Sequence, residues 1–521
     1  MDEHSGKSTS VWTATADKPS FPTLAEHLYA DVCVVGAGIA GLTTAYLLAK
    51  AGQAVVVVDD GPIASGESER TTAHLSNALD DRYYHLERLF GVDGARLAAE
   101  SHSAAIDAIE RIVHEEKIDC DFARLDGYLF NSPGEPADVL HRELAAAHRA
   151  GLEHVELVDR APLVSFATGP ALLFPNQAQF HPVRYLGALA NAVTGLGARI
   201  YTGVHASEIE GGASCTVRTT HGWTVTAKAV VVATNSPVTD RVTVQSRQRP
   251  YRTYVIGVAV PLGTVPKVLY WDTADPYHYV RLQTGDPRGP RPARDLLIVG
   301  GEDHETGQAN DMEERFARLE QWTRARFPMA SDVRYRWSGQ VLEPVDALAY
   351  IGPDPLGAEN VYIVTGDSGH GMTHGTIAGL LLTDLICGRA NPWARLYDPR
   401  RVVPSAAPEM LRENASIASQ YIDWIAPGDV RTVEQIAPGD GAIVQRGLTK
   451  VAVFRDAVGR MHECSAVCPH LGGIVRWNRG EKTWDCPVHG SRFDCDGHVV
   501  NGPANSDLQP ARATASRGSA G

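Results

Sequence analysis

Four residues near the C-terminus have the types and the spacing of a metal site. They form a Cys-x-His pair and, after a 15-residue spacer, a Cys-x-x-His pair: Cys468, His470, Cys486 and His489. Zinc fingers usually place two cysteines in one pair and two histidines in the other, whereas each pair here mixes the two types. The pattern therefore favours a [2Fe–2S] cluster in which two thiolates bind one iron and two imidazoles bind the other.

This pattern resembles the Rieske family of iron–sulfur proteins, which implies two ligand loops at one end of a small antiparallel β-fold. Quinol-oxidising members carry an extra cysteine in each ligand loop; the corresponding positions here are Gly473 and Val488, so we expect no disulfide. Ser491 follows the second pair, and its hydroxyl can donate a hydrogen bond to a cluster sulfur. We expect a reduction potential between those of the known subfamilies. No His-His-carboxylate iron site is recognisable, which argues against a Rieske oxygenase.

A second group of residues has the spacing of a dinucleotide site. Gly36, Gly38 and Gly41 lie between a short apolar strand and a helix, where the absence of side chains lets a pyrophosphate approach backbone N–H groups. Asp59 ends the next strand, 18 residues after Gly41, where a carboxylate can accept hydrogen bonds from ribose hydroxyls. Asp60 is an alternative to Asp59.

The glycine motif, together with the segments SGESERTTAHLS, VVVATN and GDSGHGMTHG, resembles the D-amino-acid-oxidase-like superfamily of FAD-dependent amine and amino-acid oxidoreductases. The resemblance covers about residues 31–398 and implies FAD, bound non-covalently although His74 lies close to where some relatives attach it. It implies that the following residues contact the cofactor: Gly36, Gly38, Ile39, Ala40, Gly41, Asp59, Ser65, Arg70, Thr71, Thr72, Ala233, Thr234, Gly366, Asp367, Gly369, Gly371, Met372 and Thr373.

The late glycine-rich loop precedes a predicted helix whose N-terminus points back at it. Glycines let the backbone lie flat against a planar ligand, and the positive end of a helix favours the negative charge of a reduced flavin. His370 and His374 in this loop, with Tyr254, are the candidate catalytic residues, although histidines in such loops are as often hydrogen-bonded structural residues. Candidates for the pocket wall are Tyr251, Tyr254, Tyr279 and Trp337, although aromatic residues at alternating strand positions more often belong to the core.

The elements that must position these residues alternate between short buried strands and amphipathic helices. Together with the two resemblances, they predict an α/β Rossmann-type FAD-binding domain with an inserted antiparallel β-sheet substrate domain, followed by a C-terminal all-β Rieske domain. The expected boundaries are a flexible leader (1–30), FAD-binding segments (31–125, 176–250 and 338–398), substrate-domain segments (126–175 and 251–337), a linker (399–428), the Rieske domain (429–506) and a flexible tail (507–521).

The composition of the chain restricts the classes of function that it can have. The net charge of −14 and the pI near 5.8 leave no basic surface for nucleic acid. No apolar run approaches the roughly 20 residues that span a bilayer, and the N-terminus lacks the pattern of a secretory signal. Eight cysteines are few for 521 residues, and two of them have metal-ligand spacing, so we expect a reducing, cytoplasmic location.

The two cofactors together predict a dehydrogenase. FAD would take hydride from a small amine or amino acid, and the Rieske cluster would pass single electrons to an external acceptor such as a quinone, a ferredoxin-like protein or an oxygenase. One alternative is a reductase driven by NAD(P)H, although no second nucleotide fingerprint is present. Another alternative is a non-catalytic redox sensor.

Overall fold

The computed structural model describes residues 8–132, 134–136, 138–238, 244–285 and 293–511. Residues 286–292, which are rich in proline and arginine, and the tail after residue 511 lie outside these residues. In the described part of the chain no helix is both long enough and apolar enough to cross a membrane.

The helices of the described residues are α1 (Val11–Thr15), α2 (Ile39–Lys50), α3 (Tyr83–Glu115), α4 (Asp138–Arg149), α5 (Pro182–Gly195), α6 (Met312–Arg326), α7 (Gly371–Ile386), α8 (Ala394–Tyr397) and α9 (Ala407–Gln420). Helix α3 is kinked at Gly91, whose φ of 73° is not helical.

The strands are β1 (Leu28–Val35), β2 (Val55–Asp59), β3 (His74–Leu75), β4 (Ala123–Phe130), β5 (Glu156–Val158), β6 (Ala171–Gln179), β7 (Arg199–Thr202), β8 (Ala206–Glu210), β9 (Cys215–Thr219), β10 (Thr224–Val232), β11 (Gln248–Pro261), β12 (Leu269–Asp272), β13 (His278–Gln283), β14 (Arg294–Glu305), β15 (Val333–Pro344), β16 (Tyr350–Pro353), β17 (Val361–Thr365), β18 (Asp440–Arg446), β19 (Thr449–Arg455), β20 (Met461–Ser465), β21 (Arg476–Asn478), β22 (Thr483–Asp485), β23 (Arg492–Phe493) and β24 (Val499–Asn501).

The first sheet has the strand order β16-β17-β10-β1-β2-β7 and is parallel from β17 to β7, with β8 and β9 added at β10. Its central strands are nearly continuous runs of valine because both faces of the sheet are buried. Val34 and Val57 pack against α2, α5 and α7 on one face, whereas Val35 and Val58 belong to a second core on the other face. The predicted Rossmann-type domain is confirmed.

The second sheet has the order β15-β11-β14-β13-β12-β4-β6-β3, with β5 beside β6. Its strand pairs are antiparallel except for β4 and β12, which run parallel. Helix α6 packs on its outer face through Phe316 and Leu319. The prediction of an inserted antiparallel sheet is confirmed, with one parallel pair added.

The C-terminal domain consists of two small antiparallel sheets, β18-β19-β20 and β21-β22-β23-β24. Their shared core is centred on Trp477 and Trp484, whose ring centroids lie 4.7 Å apart. This all-β domain was expected from the sequence.

The segment before β1 differs from the flexible leader that the sequence predicts, because residues 8–27 pack onto the flavin unit. Trp12 is fully buried, its indole N–H donates to the Thr71 carbonyl at 2.6 Å, and the Arg281 guanidinium lies 5.1 Å from its ring centroid. A single aromatic residue anchors the segment without creating any periodicity in the sequence. Part of the expected linker is likewise ordered as α9, and Tyr421 after it donates to the Leu471 carbonyl at 2.8 Å.

We predict that Trp12→Ala lowers the midpoint of thermal unfolding of the flavin unit by several degrees, because truncating a buried tryptophan costs about 3–5 kcal/mol. Differential scanning calorimetry checks this result. Tyr29→Ala is the control, since the Tyr29 side chain is 77% exposed. Equal effects of the two substitutions would contradict an anchoring role for Trp12.

Candidate active site and iron–sulfur centre

One large cavity lies between the parallel sheet, the inserted sheet and the C-terminal domain. One end is formed by the turn between β1 and α2, and the other end by aromatic and acidic side chains of the inserted sheet and of the loop after β3. The C-terminal domain closes part of the first end, where Asn501 Nδ2 donates to Glu67 Oε1 at 3.1 Å and Asn505 Nδ2 donates to the Ala206 carbonyl at 3.1 Å.

The glycine turn has room for backbone only. Gly36 has a φ of 109°, and a Cβ atom there would lie 2.4 Å from the Ala233 carbonyl oxygen. A Cβ on Gly41 would lie 1.9 Å from the Gly36 carbonyl oxygen. Helix α2 begins at Ile39, so its N-terminal N–H groups face the cavity lined by Gly38. Such a cradle fits the pyrophosphate of FAD.

Asp59 holds the same turn. Its carboxylate accepts hydrogen bonds from Ala37 N at 2.5 Å and from Gly61 N at 2.7 Å. Burial, with the neighbouring charge of Asp60, raises the pKa of Asp59 to about 7. The Asp60 carboxylate lies instead 3.5 Å from the His205 ring. The geometry therefore favours Asp59, of the two acids that the sequence left open, as the partner of the ribose hydroxyls.

The residues that the resemblance assigned to the cofactor line this cavity except for Gly41, Gly366 and Thr373. Gly41 and Gly366 permit close packing, since a Cβ on Gly366 would lie 2.8 Å from Pro344 Cγ. Thr373 is buried, with its Oγ1 2.9 Å from His102 Nδ1. The Arg70 guanidinium donates to the Ser338 carbonyl at 3.0 Å, so part of its hydrogen-bonding capacity is directed at β15.

The candidate catalytic histidines both line the cavity and are both hydrogen-bonded within the protein. His374 Nδ1 lies 2.8 Å from the Asp367 carbonyl oxygen, and its Nε2 lies 3.2 Å from His102 Nε2. Burial lowers the pKa of His374 to about 3, so this ring is neutral. His370 Nε2 accepts a hydrogen bond from Asp80 N at 3.1 Å. These contacts favour positioning roles for the two rings.

Tyr254 does not line the cavity, which argues against the catalytic role that the sequence suggested for it. Its hydroxyl lies 2.8 Å from His304 Nε2, and its ring packs edge-on against Phe316 of α6. Successive strand residues face opposite sides of a sheet, so Thr253, one position earlier, faces the cavity instead. Of the other wall candidates, Tyr279 lines the cavity and Tyr251 and Trp337 do not.

Sequence reasoning missed the acidic and aromatic residues at the far end of the cavity: Asp80, Trp271, Tyr277, Asp303 and Glu343. The Tyr277 hydroxyl donates to Asp80 Oδ2 at 3.0 Å. Burial raises the pKa of Asp303 to about 7, and burial together with Asp81 raises the pKa of Glu343 well above its usual value. These residues belong to no spacing motif, so no signal in the sequence distinguishes them from surface acids and core aromatics.

The four predicted cluster ligands come together on two similar turns of the C-terminal domain. Cys468 N donates to the Gly473 carbonyl and Cys486 N to the Ser491 carbonyl, both at 2.8 Å. The ring centroids of His470 and His489 are 5.0 Å apart. His489 Nδ1 is buried and has no hydrogen-bond partner among the described residues, so it is available as a metal ligand. Two thiols and two imidazoles at one end of a small β-fold fit a [2Fe–2S] cluster.

The residues around the cluster ligands differ from those of the quinol-oxidising proteins in the way that the sequence predicts. A Cβ on Gly473 would lie 2.5 Å from Val488 Cγ2, so the two positions at which those proteins carry the extra cysteines are in contact. All eight cysteines lie in described residues and none forms a disulfide. Ser491 is fully buried, accepts a hydrogen bond from Ala504 N at 3.0 Å and hydrogen-bonds the Cys468 thiol.

The second ligand loop packs directly on the flavin unit. Gly490 O accepts a hydrogen bond from Gln340 Nε2 at 3.1 Å, and a Cβ on Gly490 would lie 2.4 Å from Pro250 Cβ. Gln340 on β15 also lines the cavity described above. Gln340 therefore contacts both the FAD cavity and the second ligand loop of the cluster.

The fold and the two sites define a flavoprotein with an attached Rieske domain. Residues 31–385 match the family described as FAD dependent oxidoreductase, and residues 426–512 match the Rieske [2Fe-2S] domain. The chain belongs to the FAD dependent oxidoreductase family, and its cofactors are FAD and a [2Fe–2S] cluster.

Individual relatives agree with this assignment. The chain is 33% identical over 501 residues to YhfW of Bacillus subtilis (strain 168), whose name describes a Rieske 2Fe-2S iron-sulfur protein; the match covers 96% of each chain. It is 30% identical over 406 residues to gamma-glutamylputrescine oxidoreductase of Escherichia coli (strain K12), covering 75% of this chain and 91% of the relative. The crystal structure of glycine oxidase from Geobacillus kaustophilus shares the fold, with a TM-score of 0.59, 21% identity, and coverage of 72% of this chain and 100% of that chain.

We predict that Gly36→Ala yields protein without bound FAD, because the added Cβ collides with the Ala233 carbonyl and the positive φ strains the backbone. Flavin absorbance of the purified protein and the FAD released on denaturation measure the effect. Gly195→Ala is the control, since no atom lies within 4 Å of an added Cβ there. Retention of FAD by Gly36→Ala at the level of the control would contradict the assigned cradle.

We also predict that Ser491→Ala lowers the reduction potential of the cluster. A hydrogen bond to a cluster sulfur stabilises the more negative, reduced form more than the oxidised form, so its removal makes reduction less favourable. A shift on the order of tens of millivolts is expected, since about 60 mV corresponds to a tenfold change for one electron. Redox titration followed by EPR measures the potential. Ser491→Thr retains the hydroxyl and is the matched control; an unchanged potential in Ser491→Ala would contradict the donor role.

Proposed function

We propose that the protein is a dehydrogenase of small amines or amino acids that delivers electrons singly, through its Rieske cluster, to an external acceptor. FAD supplies a hydride acceptor and the cluster a one-electron relay; the substrate loses one hydride and one proton to become an imine, and two equivalents of a one-electron acceptor are reduced. In this proposal Cys468, His470, Cys486 and His489 hold the cluster.

The observation that carries the proposal is the contact between the second ligand loop and the wall of the FAD cavity. Gln340 lines the cavity and donates to Gly490 O, one residue after the ligand His489. Pro487 of the same ligand loop is also close to the flavin unit, since a Cβ added at Gly307 would lie 2.9 Å from Pro487 N. These contacts place the ligand loop of the cluster against the wall of the FAD cavity, and such proximity favours direct transfer of electrons within the chain.

The two candidate histidine ligands have different surroundings. His489 is 5% exposed and directly precedes Gly490, whose carbonyl accepts the hydrogen bond from Gln340 of the flavin unit. His470 is half-buried. We propose that the His489 side receives electrons from the flavin and that the His470 side gives them to the acceptor.

Names of the related proteins support the substrate class. Gamma-glutamylputrescine oxidoreductase is a relative over most of its length, and glycine oxidase has the same fold. Both names refer to compounds that carry an amino group. We assign to the chain itself the task of holding the substrate over the flavin with residues of β11, β13 and the loop after β3. Burial also lowers the pKa of His370 and of His374, which disfavours a positive charge on either ring.

Anaerobic titration with a panel of amines, amino acids and NAD(P)H tests the proposal. We expect an amine or amino acid, and not NAD(P)H, to bleach the flavin absorbance, and freeze-quenched samples to develop the EPR signal of the reduced cluster. Bleaching of the flavin without any cluster signal would refute the relay, and reduction by NAD(P)H alone would favour a reductase.

Variants separate the two halves of the relay. Cys468→Ala is expected to abolish the cluster signal while sparing FAD binding and substrate-dependent bleaching, because the cysteine lies outside the FAD cavity. His498→Ala is the control, since His498 is an exposed histidine of the same domain that pairs with Asp494. Reduction of a one-electron acceptor by substrate should be lost in Cys468→Ala alone; unimpaired reduction in that variant would refute the proposal.

A further inference from the structure

We infer that the substrate end of the cavity binds an aliphatic amine as its ammonium ion and rejects amines that carry a carboxylate on the reacting carbon. The inference rests on the proposed function and narrows its substrate class from amines or amino acids to amines alone. It depends on three features of the described residues: two carboxylates that face the cavity, a wall of aromatic rings beside them, and nearby arginines whose NH groups donate to other groups of the protein.

Two carboxylates face the same part of the cavity. Asp80 follows β3 and Asp303 lies on β14, and both line the cavity with Tyr277. Asp80 Oδ2 accepts a hydrogen bond from the Tyr277 hydroxyl at 3.0 Å and lies 3.5 Å from His370 Nε2. The two carboxylates are close enough for the charge of Asp80 to raise the pKa of Asp303.

Asp303 has unused hydrogen-bonding capacity. Its Oδ1 is buried and has no hydrogen-bond partner in the described part of the chain. Burial raises the pKa of Asp303 to about 7, while a hydrogen bond to Thr253 lowers it. A buried carboxylate oxygen without a donor is costly, and a cation bound beside it would remove that cost.

An aromatic wall surrounds these carboxylates. The ring of His74 lies 6.0 Å from Trp271 and 5.8 Å from Tyr279, and the rings of Tyr277 and Tyr279 are 5.4 Å apart. Burial lowers the pKa of His74 to about 3, so this ring adds no positive charge. Faces of aromatic rings attract ammonium ions and pack against alkyl chains, so the wall suits both parts of an aliphatic amine.

An amino-acid carboxylate would need a cation, and the terminal NH groups of the arginines near the substrate end donate to other groups of the protein. Among the described residues that line the cavity, Arg70 is the sole arginine or lysine, and its guanidinium donates to Ser338 O and Ser8 Oγ. Arg281 does not line the cavity; its Nη1 donates to three backbone carbonyls: Thr72, Ala73 and Phe180. Arg315 of α6 donates to the Asp303 backbone carbonyl and pairs with Asp311.

Matched pairs of compounds that differ only by the α-carboxylate test the inference on the holoenzyme. Suitable pairs, in which the amino acid has no second amino group on an oxidisable carbon, are agmatine with arginine and isobutylamine with valine. Anaerobic bleaching of the flavin is followed by stopped flow. We expect at least one amine to reduce the flavin with a second-order rate constant at least 100-fold above that of its amino acid, because a carboxylate would be buried beside two others.

Binding is measured separately from turnover with tert-butylamine, an ammonium ion at neutral pH that has no hydrogen on the carbon bearing nitrogen and cannot be oxidised to an imine. Its binding is followed by the perturbation of the flavin absorbance. Asp303→Asn and Asp80→Asn are each expected to raise its Kd about 10-fold or more, the usual effect of losing a hydrogen bond to a charged group. Asp126→Asn, at an exposed position of β4, is the control.

The outcomes separate the two proposals. Selective reduction by amines, with weaker binding in Asp303→Asn and Asp80→Asn at unchanged FAD content, supports the inference. Comparable reduction by amines and by amino acids overturns the inference and leaves the proposed function intact. If neither class reduces the flavin, the proposed function fails and this inference fails with it.

Discussion

The buried carboxylate of Glu481 joins the two cofactor domains. Its side chain is fully buried, which by itself would raise its pKa, but the charges of Arg70, Arg252 and Arg492 lower the pKa to about 2. Arg70 and Arg252 belong to the flavin unit, whereas Glu481 and Arg492 belong to the Rieske domain. Removing one partner of such a cluster leaves an uncompensated buried charge, which costs about 3–5 kcal/mol. The ion cluster therefore favours one arrangement of the two domains.

That arrangement determines what surrounds each site. It brings Gly490, next to a cluster ligand, onto Gln340 in the wall of the FAD cavity, and it brings Asn501 onto Glu67 at the nucleotide end. The Rieske domain is thus part of the wall that encloses FAD. Binding of FAD and docking of the Rieske domain share residues, so a change that displaces the domain also opens the flavin site to solvent.

Burial, more than the number of acidic residues, determines how much negative charge the cavity carries. Asp367 and Glu343 lie near the start of α7, where ionised carboxylates would offset the positive end of the helix. Burial raises the pKa of Asp367 to about 7 and that of Glu343 well above its ordinary value, so both groups carry less negative charge at neutral pH than exposed carboxylates do. The helix N-terminus consequently keeps its preference for the negative charge of a reduced flavin.

The sequence by itself determined the features that depend on local spacing: the glycine turn, the acid that ends β2, and the mixed Cys and His pairs. Each of these lies within a few residues or within one β-α-β unit, where backbone geometry relates spacing to position. Only the tertiary structure decided which face of β11 meets the cavity, so that Thr253 lines the cavity and Tyr254 packs on the opposite face of the sheet. It also brought Asp80 and Asp303 together and buried Trp12, because contacts between residues distant in sequence depend on packing that no short pattern encodes.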